Sequence, residues 1–574
     1  MKNIPLNPVR PTADLKQMLA DSAVEFGDRP AFLRKDRPDA PYTPVSFRQF
    51  SADVDALGTA LLDLGLAGRR VAVVGENQYA WAVTYLAVAN GVGVIVPVDR
   101  ELPEGEIRRC LARAEAEAVV FAESKREVMA SIAREPGTVR RFIDMRLDAD
   151  AAGTLSFERL LERGRALLQA GRRDYLDRAI DPEAMSVLLF TSGTTSEAKA
   201  VPLSHRNLCA DLTATVAYIS IGPGDVFLSI LPIHHTYECM CGFLGPLYCG
   251  ATIAFCDGLR HIPRNLRESK CTFLVAVPLV LETMYKRIWS EAERNGRAGR
   301  LRKALAASNA LRRVGIDLRR RLFAPIFEAL GPDLGAFVCG AAALAPHVSK
   351  GFRDFGITVL QGYGLTECSP ILACNRERDW KDDAAGLPIP GLDLRIREPN
   401  AEGVGEIVAR GPMVMAGYYR QPEETAKAFT PDGYFRTGDL GFLDADGFLH
   451  ITGRAKNVIV AKNGRNVYPE EIEALIGASP YVLECMVYGR MEAGASDIEL
   501  AVAVVPAMEA VATLHPQGLS AEEIRQRLEA AVRDVNRRLP GFKRIRHVIV
   551  RETEFAKTTT RKIKRYLEKQ HLGP

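Results

Sequence analysis

The sequence predicts an α/β protein of two domains, on three observations. At 574 residues the chain is longer than one hydrophobic core supports. Between Arg70 and Phe121, short apolar runs alternate with helical patterns, the mark of βαβ units on a parallel sheet. The last hundred or so residues read as a separate small α+β unit. A hydrophobic content of 47% with 25% charged residues is ordinary for a globular protein. A net charge of +4, from 75 basic and 71 acidic residues, gives no case for a nucleic-acid partner. Eleven cysteines with no C-x-x-C pair point to reduced thiols and a cytoplasmic location. The opening MKNIPLNPVRPTADL lacks the apolar core of a signal peptide. The longest apolar run, 85–98, is too short to span a bilayer.

Residues 1–69 form an entry segment in which 50–66 has apolar residues at helical spacing. Strands follow at 70–75, 93–98 and 118–121, with helices at 80–90 and 106–117 between them. Gly91-Val92-Gly93 lacks the third glycine of a dinucleotide fingerprint and precedes a strand, which excludes that fold. The charged stretch 123–184 reads as surface helices and loops. Then MSVLLF (185–190) is a buried strand that runs into TSGTTSEAK. Thr191, Ser192, Gly193, Thr194, Thr195 and Ser196, with Lys199 behind them, offer hydroxyls, backbone N–H groups and a cation to one anion, most simply a polyphosphate. It is no Walker A loop, because Ala198 and Ala200 stand where that motif needs Gly and Ser or Thr.

DVFLSIL (225–231) is a further strand, and it runs into PIHHTYE. His234, His235, Cys239 and Cys241 match no usual zinc spacing, so a histidine lining a cleft is expected and a metal is not. Strands are expected at 250–256 and 271–277. The arginine-rich stretch 291–321 reads as a solvated helical surface, with a peripheral contact to anionic lipid as the sharper alternative. FVCGAAA (337–343) is a strand followed by small residues, where a ligand can approach the backbone, and 357–360 is a strand ending in QGYGLTECSP. There Tyr363 suits a flat base, Thr366 a phosphate and Glu367 a Mg²⁺ ion. Residues 386–450 read as antiparallel; Asp439 is suited to two ribose hydroxyls, and Asp444 to Gly447 is a hairpin turn. Pro469, Glu470 and Glu471 open a helix well. KTTTRKIKR (557–565) gathers several cations near the end of the chain.

Five of these stretches, in this order, resemble the AMP-forming acyl-activating superfamily: FTSGTTSEAKAV, GYGLTE, YFRTGDLG, GRAKN with NGRNVYPEEIE, and KTTTRKIK. LPIHHTYE, GYGLTECSP and NGRNVYPEEIE look most like its long-chain fatty acyl-CoA synthetase branch. The resemblance implies a large N-terminal domain of two α/β subdomains and a β-barrel (1–453) and a small mobile C-terminal domain (454–574). It also implies ATP and CoA as co-substrates with Mg²⁺. Thr191, Ser192, Gly193, Thr194, Thr195 and Lys199 would cradle the β- and γ-phosphates. Thr366 would touch the α-phosphate, and Glu367 would bind Mg²⁺. Asp439 and Arg454 would hold the ribose, while Gly340, Ala341, Ala342 and Tyr363 would line the adenine pocket. Lys562 would be the catalytic lysine, His235 the side chain at the mouth of the acyl pocket, Lys456 the hinge, and Gly464 part of the CoA tunnel. The chain departs from the family's pattern at Ser196, Ala198 and Ala200, at Arg561 before the lysine, and at Asn457, where Asp is common. Transfer to carrier-protein phosphopantetheine, an aryl acid as substrate, and a catalytically impaired nucleotide-binding regulator are the competing readings.

Overall fold

The structure, a computed structural model, describes residues 5–151, 153–191, 199–460, 465–490, 498–557, 563–565 and 567–568. Its large N-terminal part is built on two mainly parallel sheets. The first has seven strands in the order Thr154–Ser156, Arg141–Asp144, Ala118–Phe121, Arg69–Val74, Gly93–Val98, Met185–Thr191 and Lys199–Ser204. All neighbours are parallel except the last pair, which is an antiparallel hairpin. The central strands are apolar along their whole length (Val71 to Val74, for instance, are fully buried) because helices cover both faces.

The second sheet has nine strands. Its order is Leu387–Pro388, Ile371–Cys374, Thr358–Gly364, Ala336–Cys339, Phe273–Ala276, Val226–Ser229, Thr252–Phe255, Pro30–Arg34 and Thr43–Ser46. Six central strands are parallel, and the edges are closed by antiparallel pairs. The largest buried core joins residues of both sheets, among them Phe32 and Val73. Helix Tyr79–Ala87 lies in this core and is buried all round, as a helix apolar on every side must be. Its Trp81 and Tyr85 rings stack at 5.3 Å. The amphipathic helix Phe47–Asp63 begins where the Ser46 hydroxyl accepts from the Gln49 N–H at 3.1 Å.

The part expected as a barrel is a four-stranded antiparallel sheet: Asp393–Arg397, Gly405–Arg410, Phe435–Leu443 and Leu449–Arg454. Asp444 turns its last hairpin by accepting from the Asp446 and Phe448 N–H groups at 2.9 and 3.0 Å. The small C-terminal part pairs Val482–Arg490, Glu499–Pro506 and Ile545–Val550 in a three-stranded sheet. Helices Pro469–Gly477 and Ala521–Arg538 pack on it around Ile472, Val502 and Leu528. It meets the N-terminal part where helix Met508–Leu514 packs on helix Pro278–Arg294. Among the described residues no helix is long and apolar enough to cross a membrane.

Two local expectations are corrected. The charged stretch 123–184 also supplies two sheet strands, Arg141–Asp144 and Thr154–Ser156. The strand expected to end at 360 runs to Gly364, because its second half finds a new antiparallel partner in Ile371–Cys374. Tyr363 therefore sits inside a strand and is buried.

Candidate active site

Strand Met185–Thr191 ends where the hydroxyl-rich stretch begins. Thr191 and Lys199 are cross-strand partners at the base of the hairpin, where the Thr191 hydroxyl donates to the Lys199 carbonyl at 3.4 Å. Ser192, Gly193, Thr194, Thr195, Ser196 and Ala198 lie outside the described residues. Ala200 is a buried strand residue opposite Phe190, and its carbonyl accepts from the Tyr419 N–H at 2.9 Å. A position inside a ladder has no need of glycine's freedom, which accounts for that departure.

The Lys199 ammonium stands 3.1 Å from a Glu424 carboxylate oxygen and 4.4 Å from the centre of the Tyr418 ring. The Tyr418 hydroxyl donates to Glu367 at 3.0 Å. Burial first, and the Glu367 charge second, hold this phenol far above its ordinary pKa, so it remains a donor at any working pH. Tyr418 thus joins a lysine at the start of one strand to a carboxylate on the turn after another. The sequence reading missed Tyr418 and Glu424, although an aromatic pair ahead of two acids in GYYRQPEE was the available signal.

Thr366 and Glu367 hang on a short helical turn after the strand end. Gly364 is what lets that strand close on the turn. A Cβ there would stand 1.8 Å from the Pro370 carbonyl oxygen, and the Leu365 N–H donates to the same oxygen at 2.8 Å. The Thr366 hydroxyl lies 3.4 Å from that of Thr236, which ties this turn to the loop carrying His234 and His235.

Asp439 and Arg454 face each other on adjacent strands, the guanidinium Nε 2.7 Å from the carboxylate. The other Asp439 oxygen accepts from the Tyr363 hydroxyl at 2.7 Å. Burial raises the Tyr363 pKa well above its ordinary value and Asp439 raises it further, so the phenol keeps its proton. Tyr363 is therefore a buried brace for Asp439 as well as a pocket wall. Gly340, Ala341 and Ala342 follow strand Ala336–Cys339. Ala341 has φ +71°, a left-handed conformation that costs an L-residue about 1–2 kcal/mol. Such strain collects at functional sites.

His235 is half-buried beside His234, their ring centres 4.2 Å apart. Further along the same wall, Glu238 is fully buried, and one of its oxygens accepts from the Ser229 hydroxyl at 2.6 Å. Burial pushes its pKa up to about 8. The group is neutral at pH 7, and its contribution to stability is full below its ordinary 4.5 and lost as the pH rises through about 8. Glu238→Gln keeps the shape and removes the proton. The urea midpoint of the variant is expected to stay flat while that of the wild type falls between pH 5 and pH 8.5, by up to roughly 1.4 kcal/mol per pH unit. Parallel profiles would show that Glu238 is already ionised in the fold.

Lys456 lies in the short turn Ala455–Asn457 between strands Leu449–Arg454 and Ile459–Val460. Desolvation first and the Arg454 charge second lower its pKa, although its side chain reaches the surface. The Asn457 amide donates to Glu470 at 2.6 Å. An aspartate at 457 would set a second carboxylate against Glu470, so the departure from the family's pattern has a local cause. One crevice is lined by Thr191, Lys199, His235, Gly340, Ala341, Ala342, Tyr363, Thr366, Glu367, Asp439, Arg454 and Lys456, and also by Glu470, Lys557 and Arg565 of the C-terminal part. Lys562 and Gly464 lie outside the described residues.

Residues 19–419 match the family described as AMP-binding enzyme, and residues 456–571 match the AMP-binding enzyme C-terminal domain. The chain is 32% identical over 470 residues to the long-chain-fatty-acid–CoA ligase FadD15 of Mycobacterium bovis, covering 79% of this chain and 76% of the relative. It is 28% identical over 541 residues to the chloroplastic long-chain-fatty-acid–[acyl-carrier-protein] ligase AEE15 of Arabidopsis thaliana, covering 82% and 74%. Among solved structures, the anthranilate CoA ligase AuaEII in complex with anthranoyl-AMP superposes with a TM-score of 0.76 over 98% of both chains. At 20% identity it speaks for the fold alone.

Proposed function

The chain belongs to the AMP-binding enzyme family, whose chemistry is ATP-dependent activation of an acid as its adenylate, and from that premise we propose that it converts a medium- or long-chain fatty acid to acyl-AMP and then to the CoA thioester. The observation that carries this reading is the chain of contacts Lys199–Tyr418–Glu367. It brings a cation from a strand end and a carboxylate from a helical turn to one crevice that Asp439 and Arg454 also line. We place the boundary between the large and the small domain at 453/454.

In the first half-reaction the fatty carboxylate attacks the α-phosphorus of ATP and pyrophosphate leaves. Neither reactant must lose a proton, so catalysis is positioning and charge stabilisation. Thr191 and Lys199, at the two ends of the hydroxyl-rich loop, are assigned to the β- and γ-phosphates. Thr366 is assigned to the α-phosphate, and Asp439 with Arg454 to the ribose. Glu367 fits a hard divalent cation, being a partly exposed carboxylate on the crevice wall with, among the described residues, one oxygen taken by Tyr418. Mg²⁺ bound there would supply charge neutralisation on the phosphates. Lys562 carries the role of catalytic lysine by resemblance, and His235 stands at the mouth of the acyl pocket. In the second half-reaction a thiol attacks the acyl carbonyl and AMP leaves, with the small domain turning about Lys456.

The Asn457–Glu470 hydrogen bond belongs to the pose seen here. Asn457→Asp is expected to disfavour this pose and shift the ratio of the two half-reaction rates by roughly 5- to 10-fold. Pyrophosphate exchange and thioesterification of supplied acyl-AMP measure the two halves separately. An equal change in both would show that Asn457 does not set the pose.

A second reading keeps the chemistry and changes the acceptor to a carrier-protein phosphopantetheine. The similarity to a relative named as an acyl-carrier-protein ligase favours it. Assays with CoA and with holo carrier protein separate the two. Peripheral contact with anionic lipid would run through the exposed arginines of 294–321, which flank Val314 (72% exposed) and Ile316 (46%). The test of the main reading is ATP–pyrophosphate exchange across acids from acetate through palmitate to aryl acids, with CoA withheld. Exchange with long fatty acids is expected. Exchange with an aryl acid alone would overturn the substrate, and ATP binding with no exchange at all would favour a regulatory protein.

A further inference from the structure

The two sheets each deliver a metal-ligating group to one place. Asp99 follows strand Gly93–Val98 of the first sheet, and His234 and His235 follow strand Val226–Ser229 of the second. One ligand atom from each of the three lies within 4.8 Å of the others. His234 is buried, and among the described residues its Nε2 has no hydrogen-bond partner, a costly arrangement for a polar atom. That nitrogen faces an Asp99 carboxylate oxygen at 3.6 Å, too far for a hydrogen bond. Two ligands about 2.1 Å from a common ion, at about the tetrahedral angle, stand about 3.4 Å apart. The gap is thus the width of a coordinated ion.

The backbone that carries the pair is held from behind. The Asn77 amide donates to the Leu231 carbonyl at 2.6 Å, and its oxygen accepts from the Ile233 N–H at 3.0 Å. The His235 N–H closes a turn onto the Pro232 carbonyl at 3.0 Å. Such support orients ligands before an ion arrives. The nearby Cys239 and Cys241, whose spacing matches no usual zinc pattern, do not share in it. Burial raises both thiols well above their ordinary range, Cys239 to about 12, and so disfavours the thiolate a metal needs. Spacing along one segment cannot register Asp99, which belongs to another sheet.

We propose that Asp99, His234 and His235 form a three-ligand site for a divalent transition-metal ion of the zinc type, with its remaining position open to the crevice that these residues line. Two imidazoles and one carboxylate suit such an ion better than Mg²⁺, which prefers oxygen. The open position would take a carboxylate or a thiolate. The site does not depend on which acid the protein activates.

The test is titration of the full-length, reduced, metal-free protein with Co²⁺, read by visible d–d absorption, with Zn²⁺ equilibrium dialysis beside it. One ion per chain is expected, with no near-ultraviolet thiolate-to-cobalt charge-transfer band. His234→Ala and Asp99→Asn should each weaken binding at least about 10-fold. Binding unchanged in both variants, or a spectrum dominated by thiolate charge transfer, overturns the site. Should a variant fail to fold, wild-type protein treated with diethyl pyrocarbonate decides the matter. Zn²⁺ is expected to shield His234 and His235 alone among the histidines, and modification of both at the metal-free rate rules the site out.

Discussion

Glu367→Gln is expected to lower acyl-adenylate formation by about 10²- to 10³-fold, the scale on which removing one preorganised electrostatic partner slows a reaction. Glutamine keeps the shape and can still accept from the Tyr418 hydroxyl, now 3.0 Å away, so the fold is left alone. What disappears is the negative charge that would hold Mg²⁺ against the triphosphate. Pyrophosphate exchange should therefore fall while ATP binding without Mg²⁺ does not. Tyr418→Phe separates charge from posture: it leaves the carboxylate and removes its brace, and a loss of only a few-fold is expected. A Glu367→Gln enzyme within 10-fold of wild type would remove Glu367 from the reaction.

Gly364→Ala is expected to cost about 3 kcal/mol of stability and most of the activity. The added Cβ would meet the Pro370 carbonyl oxygen at 1.8 Å, its carbon at 2.7 Å and the Ile371 Cα at 3.0 Å. All three are backbone atoms, so no side-chain rotation relieves the overlap, and strand Ile371–Cys374 must part from its neighbour. Thr366 and Glu367 sit between the two strands and move with them. Urea unfolding together with pyrophosphate exchange measures both effects. A midpoint equal to that of the wild type would mean the turn adapts where the packing says it cannot.

Much of this architecture was legible in the sequence because burial on both faces of a parallel sheet writes continuous apolar runs such as Val71 to Val74. The strand that enters the hydroxyl-rich stretch was legible for the same reason, whereas the antiparallel strand Lys199–Ser204 after it was not read. The strands Arg141–Asp144 and Thr154–Ser156 were not, since they are short and lie at an edge, with few apolar residues to mark them. Strand Thr358–Gly364 was cut short because Gly-Tyr-Gly reads as a loop. Its glycine is there for close approach, which only the partner strand reveals. In the site, residues within one motif were found, and the contacts that join motifs were not. Tyr418 links Lys199 to Glu367, Tyr363 braces Asp439, and Asn77 crosses from one sheet to the other. Each acts through a contact between distant parts of the chain, which spacing cannot record.

The position of strand Pro30–Arg34 bears on how the protein is made. Its parallel neighbour in the sheet is Thr252–Phe255, more than two hundred residues later. At about 5–20 residues per second, a ribosome needs roughly 10–40 s to deliver that neighbour. For that time the hairpin with Thr43–Ser46 has no sheet to join, and Phe32, which ends with no exposed surface, lacks the Phe255 ring that later stacks on it at 5.5 Å. The beginning of the chain is thus completed only when the middle of the chain arrives, and until then the apolar face of this hairpin stays uncovered on its Thr252–Phe255 side.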